Sequence, residues 1–159
     1  MFLAIPFLAL LVLGVACAAL GCDVPAAAIS AVAALNLPRR LASIVIGLVW
    51  VLDQAIGFGF KHYPQDASTF AWAIGLGVAA FAAYGIARTV AARPVVAFLA
   101  AFVALEAVLV LFSIKLGGWE AYAPRWMAQI FAVNLAWFVG AQVTLRLLAR
   151  KPLFGDAAA

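Results

Sequence analysis

Long apolar runs separated by short polar breaks set the pattern of this chain. The runs cover residues 2–21, 26–37, 41–60, 69–89, 94–114 and 126–148. A helix rises about 1.5 Å per residue, so roughly 20 apolar residues are needed to cross a ~30 Å hydrocarbon layer. Five runs reach that length, and the piece at 26–37 does not. Cys22-Asp23-Val24-Pro25 precedes it and Asn36-Leu37-Pro38-Arg39-Arg40 closes it. The predicted fold is therefore all-α: a polytopic integral-membrane helical bundle with five clear transmembrane helices. Three readings stay open for 26–37, as an interfacial segment, a re-entrant segment or half of a broken first helix. Ser68 or Thr69 is expected to cap the helix at 69–89, and Pro94 suits the first turn of the next. Pro124 falls just before the last run, where a proline does little harm. The spans form one domain, residues 1–149, followed by a short tail at 150–159 that is expected to be loose.

Composition turns this pattern into an environment. The chain of 159 residues is 69% hydrophobic and 10% charged, against roughly 45–50% and about 25% in a soluble domain. That much apolar surface does not fit inside a small globule, so lipid is the expected solvent. The net charge of +4 does not point to nucleic acid, because the basic residues sit singly at segment ends and form no patch. They orient the chain instead. Arg39, Arg40, Arg88, Arg93, Arg146, Arg150 and Lys151 fall on one side, and Lys61, Lys115 and Arg125 on the other. The richer side should be cytoplasmic, which puts the C-terminus inside the cell's inner (plasma) membrane. Phe60, Tyr63, Trp72, Trp119, Tyr122 and Trp126 then cluster around the outer loops, as an aromatic belt at headgroup level or as a cap formed by 117–126. Cys17 and Cys22 are read as apolar structural cysteines, since a helix turns them about 140° apart.

Polar groups inside the apolar runs carry the candidate chemistry. Residues 50–66 read W-V-L-D-Q-A-I-G-F-G-F-K-H-Y-P-Q-D, with Asp53 and Gln54 within the run. Counted from the outer boundary, Asp53 lies about 12 Å deep, and Glu106 and Asn134 about 14 Å. All are close to the middle of the slab, where a charge costs on the order of 2.5–3.5 kcal/mol on insertion scales. Lys and Arg all lie near span ends. Three readings follow for this layer. The groups could fasten three helices by hydrogen bonds, surround a solute, cation or proton path, or meet a partner subunit that supplies a cation. Glu106 fits the last of these, because Leu99, Phe102, Val103, Leu109 and Val110 around it are large and apolar. Above Asp53, Gly57 and Gly59 leave space, and His62 and Tyr63 form an outer rim.

Other chemistries are not expected. One histidine cannot supply a pair of axial haem ligands, and neither C-x-x-C-H nor metal-ligand spacing occurs. No phosphate-binding G-x-x-x-x-G-K-[ST] is present, so the chain should not hydrolyse ATP. Ser30, Ser43, Ser68 and Ser113 lack a histidine that could activate them as a set, and no enzymatic activity is expected. Two functional classes remain. One is a small transport component that binds a small solute from the outer side through Asp53, Gln54, Glu106, Asn134, His62 and Tyr63. In size, helix number, inside C-terminus and missing ATPase, its layout is similar to the substrate-binding membrane subunits of energy-coupling-factor vitamin transporters. That similarity carries over no residue. The other class is an accessory subunit stabilising a larger respiratory, photosynthetic or transport complex. Small residues at Ala71, Gly75, Ala79, Ala83 and Ala87 mark their helix either as central or as one that docks a partner, and in this class they would be docking features. Bulky replacements at Gly75 or Ala79 would break assembly in that case, whereas Asp53→Asn would damage solute binding in the first.

Overall fold

The computed structural model describes residues 8–12 and 24–150, and its regular structure there is helical. Residues 8–12 form part of a helix; the rest of the 2–21 run, including Cys17, and Cys22 beyond it lie outside the described residues, as does the tail at 151–159. The elements that follow are α1 (Ala26–Asn36), α2 (Arg39–Gly59), α3 (Ala67–Thr89), α4 (Pro94–Leu116), a 3-10 turn (Trp119–Tyr122) and α5 (Pro124–Arg150). Four of these, α2 to α5, are long and apolar enough to cross a membrane. The expected count of five spans is thus met only as far as four.

Prolines and glycines set the boundaries. Leu37 precedes Pro38, which disfavours helical geometry at Leu37, so α1 stops and α2 begins from an extended Pro38. Pro94 opens α4, where its missing N–H is no loss. Gly117 and Gly118 close α4 with φ of 85° and 95°, a region that glycine reaches without a Cβ clash. The cap of α3 differs from expectation. Asp66, not Ser68 or Thr69, accepts a hydrogen bond from the Thr69 N–H at 2.8 Å, and the helix opens earlier, at Ala67.

The larger surprise is α1. The piece too short to span is the centre of the bundle: every residue from Ala27 to Ala34 is buried. It touches α2, α3, α4 and α5. Its alanines allow that close approach on all sides. The small stripe of α3 faces this interior as well. Ala79, Ala83 and Ala87 are fully covered within the chain, and a Cβ on Gly75 would come within 2.7 Å of the Phe112 ring of α4. The stripe therefore packs α3 onto its own neighbours. A bulky residue there would disturb the fold itself, so it cannot separate the two functional classes. By contrast α5 has only 11% of its spanning stretch buried; it packs mainly on α1, with Phe138 also stacked on Phe98 of α4 at ring centroids 4.8 Å apart.

Candidate functional site

A short helix enclosed by others, with one end inside an apolar bundle, needs partners for the N–H and C=O groups left over at its ends. In α1 these are met from other helices. The Oδ1 of Asn134 on α5 accepts from the Ala28 N–H at 3.1 Å, while its Nδ2 donates to Ile130 O at 3.0 Å. At the opposite end, Nη1 of Arg88 on α3 donates to Ala34 O at 2.6 Å and to Leu37 O at 2.8 Å. Between them, Ser30 Oγ donates to Ala80 O of α3 at 3.0 Å. Asn134 is 5% exposed, and both ends of its amide are engaged within the chain.

The four polar groups of the middle layer thus occupy different settings. Asp53 and Gln54 are half-buried neighbours on α2, joined by a hydrogen bond from Gln54 Nε2 to Asp53 Oδ2 at 3.0 Å. Glu106 is half-buried on α4, and among the described residues no hydrogen bond joins it to Asn134. The helices bearing these groups all contact α1, while α4 and α5 meet each other only slightly. The half-length helix stands among them. Leu99 and Val103 near Glu106 are 44% and 66% exposed, as an outward face requires. Phe102, in contrast, turns inward to meet the Phe131 ring edge-on at 5.1 Å.

Beyond the layer, the segment after α4 forms the 3-10 turn and packs against α5. Tyr122 ends the 3-10 turn and is half-buried. Its phenol is pushed above the usual tyrosine value, first by burial and then by the negative charge of Glu106, with the nearby Ser113 side chain acting in the opposite sense. The phenol of an outer-loop tyrosine thus responds to two α4 side chains set seven residues apart, which is two helical turns. No reading of the sequence alone singled out this role for Tyr122 or Ser113. The seven-residue spacing of Glu106 and Ser113 was the available sign. The other aromatic residues at this end stay outside: Phe60 is 81% exposed and Trp119 53%. Trp72 lies against Gly118, so the start of the 3-10 turn rests on α3.

The rim is placed by local geometry. His62 is exposed at a φ of 54°, a left-handed conformation in which histidine is several-fold enriched among non-glycine residues. Tyr63 returns across the end of α2: its N–H donates to Gly57 O at 3.1 Å and its ring covers Gly57. That packing fills the space above Asp53 that Gly57 was expected to leave, whereas nothing approaches Gly59. Among the described residues, no three of His, Cys, Asp and Glu cluster as a metal site would need. Comparison of the chain with protein-family models, with curated proteins and with solved structures found no match.

Proposed function

We propose that the protein is a small integral-membrane transport component that binds a small solute from the outer side and has no ATPase of its own. The observation that carries this reading is α1, a half-length helix enclosed on all sides, whose N-terminal end stops at the depth of the middle polar layer. Half-length helices that end at the midplane form the binding sites of many membrane transporters. A spacer has no need to hold helix ends at that depth. In this scheme α1 fills the half of the bundle at the basic, cytoplasmic end and forms the floor of the site. Asp53, Gln54 and Glu106 are the binding groups, with Tyr122 above them and His62 and Tyr63 at the rim. Asn134 shapes the floor by holding the end of α1. The C-terminus lies in the cytoplasm and the membrane is the inner (plasma) membrane.

A specific observation also favours the accessory-subunit reading, namely the long uncovered face of α5, which a partner membrane subunit would cover. Native mass spectrometry of the protein, extracted gently from its own membrane, separates the two. A small-molecule mass retained on the isolated chain and lost in both Asp53→Asn and Glu106→Gln is expected. A chain recovered only within a larger assembly, carrying no ligand, overturns the transport reading in favour of the accessory one.

A further inference from the structure

At the end of the bundle richer in Lys and Arg, the start of α2 and the last turns of α3 enclose an open hollow of about 310 Å³, lined by Arg39, Ser43, Tyr84, Gly85, Arg88 and Thr89. It has room for roughly ten waters, and so for a phosphate group with the atoms that bear it. No carboxylate is among its lining residues. Donors are in surplus. Arg88 spends only Nη1 on the α1 carbonyls, which leaves the Nε–H and Nη2 donors of its guanidinium. Arg39 and Ser43 make no side-chain hydrogen bond among the described residues. Tyr84 is 9% exposed and its hydroxyl is buried without a partner, a state that native structures rarely leave unanswered. Arg39 is also the first residue of α2, whose Pro38 cap gives no side-chain acceptor, so the positive end of that helix adds to the field.

We infer that this hollow is a binding site for a phosphate group, that of an anionic phospholipid in the adjoining leaflet. Two arginines and a serine line it beside the ring of Tyr84, at the level of the headgroups. Arg88 is the pivot: one of its nitrogens holds the central helix and the others face the lipid, so lipid binding at this end is tied to the placement of α1. This site lies at the opposite face of the bundle from the proposed solute site and does not depend on it.

The test places the full-length protein in phosphatidylcholine nanodiscs containing a small fraction of phosphatidylglycerol and counts retained lipids by native mass spectrometry. The unaltered protein should retain phosphatidylglycerol over phosphatidylcholine. Arg39→Gln should lower that retention roughly fivefold, the factor one basic contact supplies at an anionic surface, and Ser43→Ala should lower it with both arginines in place. Arg93→Gln, at an exposed basic residue of the same end that does not line the hollow, should leave it unchanged. Equal retention in all four proteins overturns the site. An equal loss with Arg93→Gln does so too, since it means diffuse attraction. Millimolar inorganic phosphate is the second arm: retention that survives it supports the lipid. Displacement by it overturns the lipid as occupant and assigns the hollow to free phosphate.

Discussion

Two titratable side chains outside the spans show opposite responses to their surroundings. Asp66 is fully exposed, yet its carboxyl is held below the ordinary value of 3.8 by the backbone N–H of Thr69 and then by the Thr69 hydroxyl. A lowered carboxylate contributes stability that is present above the unfolded value and lost as the pH falls through the folded one. The start of α3 should therefore keep its protection in hydrogen exchange down to about pH 3.8 and loosen only below it. Asp66→Asn, an equally good cap, should remove that acid step, and Asp66→Ala should loosen the helix start at every pH. Tyr122 behaves inversely. Its raised phenol favours the neutral form, so its contribution is complete below the ordinary value of 10.0 and is lost as the pH rises through the folded value. Glu106→Gln should bring phenolate absorbance in at lower pH than in the unaltered protein, because the second cause of the shift is gone. Ser113→Ala should delay it, because a side chain that favours the anion is gone. Each spectrum is read against its own Tyr122→Phe counterpart to remove Tyr63 and Tyr84. Identical curves would mean that the outer turn does not reach Glu106.

At the level of elements, α1 depends on groups far away in sequence: Asn134 is 106 residues from Ala28, and Arg88 is 54 from Ala34. Removing either leaves a buried helix end unmet. Asn134→Ala should cost about 1–3 kcal/mol, the desolvation of one orphaned backbone group. Arg88→Met, of similar length, should cost about 1.5–3 kcal/mol through loss of a charged donor. Arg88→Lys should recover much of that loss, since a single nitrogen, Nη1, serves both carbonyls and an ammonium carries three donors. Denaturant titration of the protein in mixed micelles measures all three. The same distances explain what the sequence could and could not reveal. The four long helices were legible because length and hydropathy suffice for a helix that meets lipid over most of its surface. Twelve apolar residues satisfy no spanning rule, and nothing local says that such a piece will be buried. Asn134 reads as a functional polar group in an apolar run for the same reason: its partner is a backbone N–H, which leaves no mark in the sequence. Gly77 shows a further hidden constraint. A Cβ there would lie 3.0 Å from the indole of Trp50, whose Nε1 donates to Ala73 O at 2.8 Å. Gly77→Val should push the ring away, break that bond and shift the tryptophan emission, whereas Gly85→Val, with no atom near its Cβ, should leave that emission unchanged.

For the whole molecule, the distribution of charge and the position of α1 bear on the same question, which side of the membrane each end faces. Arg39, Arg40, Arg88 and Arg93 lie at the end of the bundle where α1 finishes, and Lys61, Lys115 and Arg125 at the other. Basic residues in short loops are retained on the cytoplasmic side during insertion. With four consecutive antiparallel spans, fixing one loop fixes them all. The proposed function requires the 61–66 and 117–123 loops to face outward, because a solute arriving from the other side would meet α1 first. Replacing Cys17 and Cys22 by serine gives a background without cysteine, into which single cysteines are introduced. His62→Cys and Trp119→Cys, both exposed, should react with a membrane-impermeant maleimide in intact cells. Ala92→Cys, exposed between α3 and α4, should react only after the membrane is opened. The reverse pattern would put α1 at the outer face, and the solute site would then have to open to the cytoplasm. Labelling of all three in intact cells would mean that α3 does not cross, against its 23 residues and a mean hydropathy of 1.8.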